Sequence, residues 1–454
     1  MSIFQLIVGI IMVFGWRLLY PWIANKLSLI TFLSLTALLL NALFSKIKAI
    51  NIAFSLLETI TLSLIIAGLL FTQDIWPKDS DNIPPEKNII KRQILIFAGG
   101  LMALICFHNL ADFEYLLNES NRETIGVLSP WGVFFTAAIL LFTLCYSRNN
   151  QTFCIVNSSL FRVCILTSAI AFSVVLVLVA LKLIPGNTDK VALGIGGVGF
   201  GNMSTNETSL LGCCLLLWVL QIQCVRGVST ISLACIPGPI IMVLLTQSRI
   251  GIGCVFIIVL FYLFYRSKYR LKELFISLFV IVLLSVPAVN VFLARMSADK
   301  GVLTGTDGGG IAGSGRALIW ISYLDAFIEV ASIRPLTWIV GVGPTGVVRL
   351  YDSTFLDFLG FEVAQGTYFP LHSDVVFTFL ATGFLGLFLW LVLVTAAYIQ
   401  IKRNGTNFCG VAAITVFVIF SLFDMLIYST FSVWLLALAI AYPEKNQPYI
   451  ESKI

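Results

Sequence analysis

The stretch LFRVCILTSAIAFSVVLVLVALKLI, residues 160–184, has only two charged residues, Arg162 and Lys182, and each lies near one of its ends. A run of about 20 mostly apolar residues is long enough for an α-helix to cross the hydrocarbon core of a bilayer. Similar runs recur along all 454 residues of the chain, which is 59% hydrophobic and 11% charged. Because a soluble domain carries about a quarter charged residues, the sequence predicts an all-α polytopic membrane protein.

The net charge of +5 is small for a chain of this length. It is typical of basic residues that anchor cytoplasmic loops, and it does not indicate a nucleic-acid partner. Most of the ten cysteines lie inside apolar runs and lack the spacing of metal ligands, so we expect free thiols that serve as small packing residues. No metal and no cofactor is predicted.

The apolar runs predict about 12–13 transmembrane helices. The number is 12 or 13 because basic residues flank the span 50–71 on both sides, and both groups favour the cytoplasm. The two ends of one span cannot both be cytoplasmic, so the number is 12 if one of the first three apolar segments does not cross the membrane. The candidate spans are 3–22, 27–44, 50–71, 94–110, 129–146, 160–184, 207–225, 229–247, 250–265, 273–293, 373–399, 409–427 and 430–442.

Basic residues in short loops predict the orientation of the second half. The cluster between Arg266 and Lys272, and the pair Lys402-Arg403, indicate cytoplasmic turns. The same phase places the 294–372 segment, the 186–206 loop and the Ser248-Arg249 turn on the opposite, periplasmic side. The chain therefore divides into N-terminal transmembrane helices (1–293), a large periplasmic loop (294–372) and C-terminal transmembrane helices (373–454).

The large loop contains its own predicted helices. In RALIWISYLDAFIE, residues 316–329, apolar residues recur at intervals of three and four, and the glycine-rich GVGP turn follows at 341–344. This pattern is typical of short amphipathic helices that lie on a membrane surface with the apolar face down. Gly305–Gly315, ahead of them, has the composition of a flexible hinge.

Three residues are candidates for chemistry on the periplasmic side: Arg249, Arg316 and His372. Two guanidinium groups suit a diphosphate, because each presents a planar set of donors and stays protonated. A histidine at a helix start can accept a proton from a hydroxyl near neutral pH. The three together predict transfer from a diphosphate-linked lipid to an acceptor hydroxyl, with no metal.

Each of these residues also has a simpler interpretation. Arg249 suits a topology anchor whose charge reaches the membrane surface, Arg316 a solvated residue at a helix start, and His372 a structural role. Glu58 and Asp424, inside apolar runs, are interpreted as helix-packing residues. The string GIGGVG at 194–199 matches a dinucleotide fingerprint, but we expect no strand–helix unit around it and therefore no nucleotide site.

Several motifs resemble the O-antigen polymerase and O-antigen ligase superfamily over residues 194–400. They are GFGNMSTNETSLLGCCLLL at 199–217, LLTQSRIGIG at 244–253, GSGRALIW at 313–320, RPLTWIVGVGPTGV at 334–347 and HSDVVFTFLATGFLGLF at 372–388. Their order and spacing carry the resemblance. One departure is Ser373, because many members of the superfamily have asparagine after the histidine.

The resemblance implies a GT-C-like membrane glycosyltransferase that uses undecaprenyl-diphosphate-linked glycans. It makes Arg249 and Arg316 ligands of the lipid diphosphate, and His372 a contact of the phosphate or the base for the acceptor hydroxyl. Asn206, Arg334 and Asp374 become candidate substrate-binding residues, since each lies in one of the motifs. Asp374 is expected to orient His372 or to cap the next helix.

The leading interpretation is a polymerase of lipid-linked oligosaccharide repeat units in the bacterial inner membrane. Its partners would be the lipid-linked donor and acceptor, the bilayer and a chain-length regulator. An O-antigen ligase, which transfers the finished glycan to lipid A–core, is the nearest alternative. A lipid-linked oligosaccharide flippase or other transporter is the alternative from another class, and it predicts inverted repeats, broken helices or buried charges at the middle of the membrane.

Overall fold

The computed structural model describes residues 35, 36, 38, 39, 159–184, 187–192, 195–199, 204–267, 316–343, 346, 347, 350, 371–403, 408–424 and 430–441. The predicted spans 3–22, 50–71, 94–110, 129–146 and 273–293, most of 27–44, and the Gly305–Gly315 hinge lie outside these residues, as do Glu58 and His108. The described part is mostly α-helical. Its helices are α1 Ser159–Ala180, α2 Thr205–Arg226, α3 Thr230–Ala234, α4 Pro237–Thr246, α5 Arg249–Ser267, α6 Arg316–Ile333, α7 Thr337–Val340, α8 Asp374–Arg403, α9 Phe408–Phe423 and α10 Thr430–Ala441.

Apart from α6 and α7, which lie in the 294–372 segment, the described helices overlap the apolar runs that the sequence marks as candidate spans. Two of them, α1 and α2, are long and apolar enough to cross a membrane, and α8 adds a third if its two bent parts form one span. The described helices over Thr230–Thr246, Arg249–Tyr265 and Phe408–Phe423 are apolar but shorter. Their length is therefore less than the about 20 residues expected of a full crossing.

Side-chain contacts at two depths show that α2 and α5 run in the same direction. Near the start of both helices, the Ser248 hydroxyl donates to Asn206. Near their other ends, the Tyr262 hydroxyl donates to the Gln223 side chain at 3.0 Å. The helices α2 and α5 therefore begin at the same end of the bundle.

Helix α9 runs in the opposite direction. It begins at Phe408, whose ring packs edge-on against Tyr262 with centroids 5.6 Å apart, and it packs along both α5 and α2. From Tyr262 back to Arg249, and from Phe408 to Phe423, each helix advances about 20 Å at 1.5 Å per residue. The C-terminal end of α9 therefore lies toward the starts of α2 and α5.

Three helices begin at this end with a serine cap, and we call it the serine-capped end. Ser204 caps α2 in a reciprocal arrangement with Glu207. The Ser248 hydroxyl accepts the backbone N–H of Gly251 in α5, and that of Ser373 accepts the N–H of Val376 in α8. Each hydroxyl satisfies a donor that the first helical turn leaves unpaired.

A β-hairpin joins α1 to α2 at the serine-capped end. Its strands, β1 (Asn187–Ala192) and β2 (Ile195–Gly199), pair antiparallel with an irregularity between Asp189 and Val191. We expected no strand–helix unit around GIGGVG, but β2 carries most of that string and α2 follows it. The described sheet is nevertheless a two-stranded antiparallel hairpin, whereas dinucleotide binding uses a parallel βαβ unit.

Glycines allow α2 to pack closely on its neighbours. A Cβ atom at Gly212 would lie 2.8 Å from the Val243 side chain of α4, and one at Gly251 would overlap the Ser209 hydroxyl.

Seven cysteines lie in the described part, and all are free thiols, as the sequence predicts: Cys164, Cys213, Cys214, Cys224, Cys235, Cys254 and Cys409.

Helix α6 lies where the sequence predicts a helix, and it runs alongside α8. The Trp320 indole contacts Leu371 just ahead of α8, and seven residues later the Phe327 ring lies 5.2 Å from that of Phe379. Tyr323 and Phe327 are buried, whereas Ile321 and Ile328 are exposed beside Asp325. Apolar residues thus occupy both the packed and the exposed faces of α6, which differs from the single apolar face that we expected.

Helix α8 is broken at Gly383, and the α7 segment packs into the break. Gly383 has φ 64° and ψ −162° inside the helix, and farther along, between Phe388 and Trp390, α8 bends by 58°. The backbone N–H groups of Val342 and Gly343 donate to the carbonyls of Leu380 and Ala381, at 3.0 and 2.9 Å. The break exposes these carbonyls, and the α7 segment satisfies them.

Candidate functional site

The first part of the candidate site is the turn between α4 and α5. Gln247 ends α4 in the left-handed conformation with φ 54°, Ser248 caps α5, and Arg249 is the first residue of that helix. The Ser248 hydroxyl donates to Oδ1 of Asn206 at 2.7 Å. This bond joins residues 42 positions apart in the chain. It therefore brings two predicted site residues, Asn206 and Arg249, close together.

The second part is the turn ahead of α8. His372 has φ 50°, a left-handed conformation that is uncommon for residues other than glycine. Its Nδ1 lies 3.3 Å from Oδ1 of Asp424, and the two side chains are 34% and 13% exposed. An Nδ1–H that donates to a carboxylate leaves Nε2 of the neutral ring as the acceptor. The arrangement can therefore present Nε2 as a base.

Asp424 and Ser373 make two contacts of the kind that the sequence led us to expect of Asp374. The carboxylate described in contact with the imidazole is that of Asp424, and the hydroxyl that caps α8 is that of Ser373. Asp374 itself is 4% exposed, and its backbone N–H donates to the Asp424 carbonyl at 3.2 Å. The role of Asp374 in substrate binding stays a prediction, and its burial leaves the side chain little surface to offer a glycan.

Arg316 and Arg334 lie at opposite ends of α6. Arg316 begins the helix, one turn before Trp320, whose Nε1–H donates to the carbonyl of Leu371. Arg334 follows the last residue of the helix and is exposed. The 18 positions that separate them correspond to about 27 Å along the helix axis. The structure thus brings the start of α6 near His372 and separates Arg334 from it, so Arg334 is not part of the site at the start of α8.

Asp424 and Ser248 are the site residues that sequence reasoning missed. Asp424 follows the last residue of α9, where its backbone N–H donates to the Phe420 carbonyl at 2.7 Å. A signal was present, because an ionisable residue in an apolar run is expensive and usually functional. Ser248 had no comparable signal, since its contact with Asn206 depends on how α2 and α5 pack.

Both parts of the site lie at the serine-capped end. The starts of α2, α5 and α8 are there, and a helix start carries partial positive charge from its unpaired N–H groups. Arg249 adds a formal positive charge to the start of α5. This end of the bundle is therefore suited to an anion, and the His372–Asp424 pair places a base beside it.

A scan of the chain against models of known protein families finds no match, and no curated protein matches it either. A function for this chain therefore rests on the geometry of the serine-capped end.

Proposed function

We propose that the protein polymerises undecaprenyl-diphosphate-linked oligosaccharide repeat units of a surface polysaccharide, by glycosyl transfer on the periplasmic face of the bacterial inner membrane. In this proposal the chain has about 12–13 transmembrane helices, and the serine-capped end faces the periplasm. The observation that carries the proposal is the common location of the Asn206–Ser248–Arg249 turn and the His372–Asp424 pair. The motif resemblance over 194–400 agrees with it.

The positive end of the bundle would hold the leaving group. A diphosphate needs charge neutralisation as the glycosidic bond breaks, and preorganised donors supply it without reorganising. Arg249 and the starts of α5 and α8 provide such donors at the serine-capped end. In the proposal Arg316 contributes a second guanidinium from the start of α6, and the lipid tail lies between helices in the bilayer.

The His372–Asp424 pair would activate the acceptor. Nε2 of His372 takes the proton from the acceptor hydroxyl as the oxygen bonds to the anomeric carbon of the donor. The bond between that carbon and the diphosphate oxygen breaks, and undecaprenyl diphosphate leaves with the electron pair. Asp424 holds the ring and balances the positive charge that develops on it. No metal or cofactor takes part in this step.

The partners follow from this chemistry. The donor is the growing glycan on undecaprenyl diphosphate, the acceptor is a new lipid-linked unit, and both reach the site from the bilayer. A chain-length regulator is a candidate protein partner. A ligase would use the same donor site with lipid A–core as acceptor, so the two activities differ in the acceptor alone.

The break in α8 is the observation that favours a transporter, because transporters often bind substrate at discontinuous helices. At Gly383, however, the Leu380 and Ala381 carbonyls already accept hydrogen bonds from Val342 and Gly343. These carbonyls are therefore occupied by the chain itself and not presented to an ion or a substrate. The break therefore supplies no substrate-binding carbonyls of the kind that a transporter would use.

The test is complementation of a strain that lacks the gene, with surface glycans and lipid-linked intermediates separated on gels. Single repeat units on lipid A–core in the deletion strain support the polymerase. Long chains that accumulate on undecaprenyl diphosphate indicate the ligase, and intermediates trapped on the cytoplasmic side indicate a transporter. The variants Arg249→Ala, Arg316→Ala and His372→Ala should fail to complement at wild-type expression levels. Wild-type glycans from all three would reject this site.

A further inference from the structure

The indole of Trp320 connects α6 to the turn that precedes α8. Its Nε1–H donates to the carbonyl oxygen of Leu371 at 2.6 Å. Leu371 is fully buried, and the next residue is His372. The bond therefore joins a helix of the 294–372 segment directly to the backbone beside the candidate base.

The turn at His372 needs contacts on both sides to keep its conformation. A left-handed backbone at a residue other than glycine is less favourable than a helical or extended one, and it persists where the surroundings hold it. On one side, the Ser373 hydroxyl accepts the N–H of Val376 and donates to the Ser421 carbonyl at 3.4 Å. On the other side, the Trp320 indole holds the carbonyl of Leu371.

The bond between Trp320 and Leu371 also fixes how far Arg316 lies from His372. Arg316 lies four residues before Trp320 on α6, which is about one helical turn, or 6 Å along the axis. Aromatic contacts farther along α6, where the Phe327 ring lies 5.4 Å from Trp338 and 5.2 Å from Phe379, hold the rest of the helix against α7 and α8. The indole bond thus sets the register of α6 against the His372 turn.

We propose that Trp320 is a positioning residue, which holds the His372 turn, and through it the imidazole, in the geometry needed to activate the acceptor. The role of Trp320 in catalysis rests on the function proposed above. The mechanical coupling of Trp320 to His372 stands on the described contacts alone. In this role Trp320 itself touches no substrate.

The experiment compares Trp320→Phe with Trp218→Phe in the full-length protein, purified in detergent. The Trp218 indole also donates to a backbone carbonyl, that of Leu435 at 3.1 Å, but it lies buried in the bundle between α2 and α10. The first readout is the rate at which diethyl pyrocarbonate modifies His372, followed by peptide mass spectrometry. The chain has two histidines, so His108 serves as an internal reference. The second readout is the kcat and KM of repeat-unit polymerisation.

We expect Trp320→Phe to raise the modification rate of His372 about fivefold, the factor typical of one lost hydrogen bond. The rate at His108 should stay unchanged, and kcat should fall by a similar factor while KM for the donor stays within about twofold. Trp218→Phe should lower thermal stability without changing either the His372 rate or kcat. If Trp320→Phe does not fold, 3-benzothienylalanine at position 320 keeps the bicyclic ring and removes only the N–H.

An unchanged modification rate at His372 would overturn the coupling, and a changed rate with wild-type kcat would overturn the positioning role. A wild-type protein that modifies as expected but polymerises no repeat units would reject the proposed function and leave the coupling supported. The chemical modification does not depend on the activity, so the two failures are distinguishable.

Discussion

Nδ1 of His372 and Oδ1 of Asp424 lie 3.3 Å apart, although 52 positions separate the two residues in the chain. The pair forms because α8 starts where α9 ends. The Asp374 N–H donates to the Asp424 carbonyl there, which joins the two backbones directly beside the side-chain contact. A histidine held by a carboxylate at a helix start is the arrangement on which the proposed acceptor activation depends, and it leads to the first prediction.

Asp424→Asn should lower kcat for glycosyl transfer by about 100-fold, within the range that general acid–base groups contribute. The amide keeps the size of the side chain but loses the charge that balances a protonated His372. The measurement is polymerisation of synthetic lipid-diphosphate-linked repeat units by purified protein. Asp325→Asn, on the exposed face of α6, is the matched control and should retain wild-type kcat. Equal activity of the two variants would remove Asp424 from the mechanism.

Arg249→Ala should lower kcat/KM by about 100- to 1,000-fold, the cost of removing one group that stabilises developing charge. Arg249→Lys should recover part of this loss, because an ammonium keeps the charge but not the planar fork of donors. The same assay measures both variants. Arg334→Ala is the control, since Arg334 lies exposed beyond the far end of α6, and its kcat/KM should stay within about twofold of wild type. A larger effect at Arg334 than at Arg249 would contradict the assignment of the site.

Gly383→Ala and Gly341→Ala should each destabilise the protein by at least about 2 kcal/mol. Both glycines have positive φ with ψ near 180°, a region that is nearly exclusive to glycine. A Cβ atom at Gly383 would also lie 2.5 Å from the Ile339 carbonyl, and one at Gly341 would overlap the Ala381 backbone. The change is measured as a lower midpoint of thermal unfolding in detergent.

The control for these glycines is Gly253→Ala in α5. A Cβ atom there meets no atom within 4 Å, and alanine is favoured over glycine inside a helix by roughly 0.5–1 kcal/mol. The unfolding midpoint should therefore stay level or rise. A similar loss of stability in all three variants would show that the α7–α8 contact is not specific.

Ser248→Ala should cost about 1–2 kcal/mol of stability, because the hydroxyl both caps α5 and donates to Asn206. Asn206→Ala should show a coupling of about 0.5–1.5 kcal/mol with Ser248→Ala in a double-mutant cycle. Both substitutions are expected to lower kcat/KM as well, since the turn carries Arg249. Ser229→Ala removes the cap of α3 and should lower stability without lowering kcat/KM. Additive effects of Ser248→Ala and Asn206→Ala would argue against a role for their bond.

The helices of the described part could be predicted from local pattern alone. An apolar run such as 409–427 predicts a helix before its packing is known, because its length and composition are properties of adjacent residues. The turn at Gln247 and Ser248 was visible as a short polar break in the same way. The break at Gly383 was not predictable, because a single glycine in an apolar run is compatible with a continuous helix. Its positive φ depends on the close approach of Gly341.

The candidate site likewise has residues that could be predicted from the sequence and residues that could not. Arg249 and His372 stood out in the sequence, because each is a polar residue at the edge of an apolar run, where local chemistry is informative, whereas Asn206 was a candidate through the motif resemblance. The partners Asp424 and Ser248, the burial of Asp374 and the separation of Arg334 from His372 depend on which helices run parallel and which antiparallel. That choice is made by contacts between residues far apart in the chain, such as Gly251 with Ser209. Side chains on different helices meet only once these packings have set the direction and register of each helix.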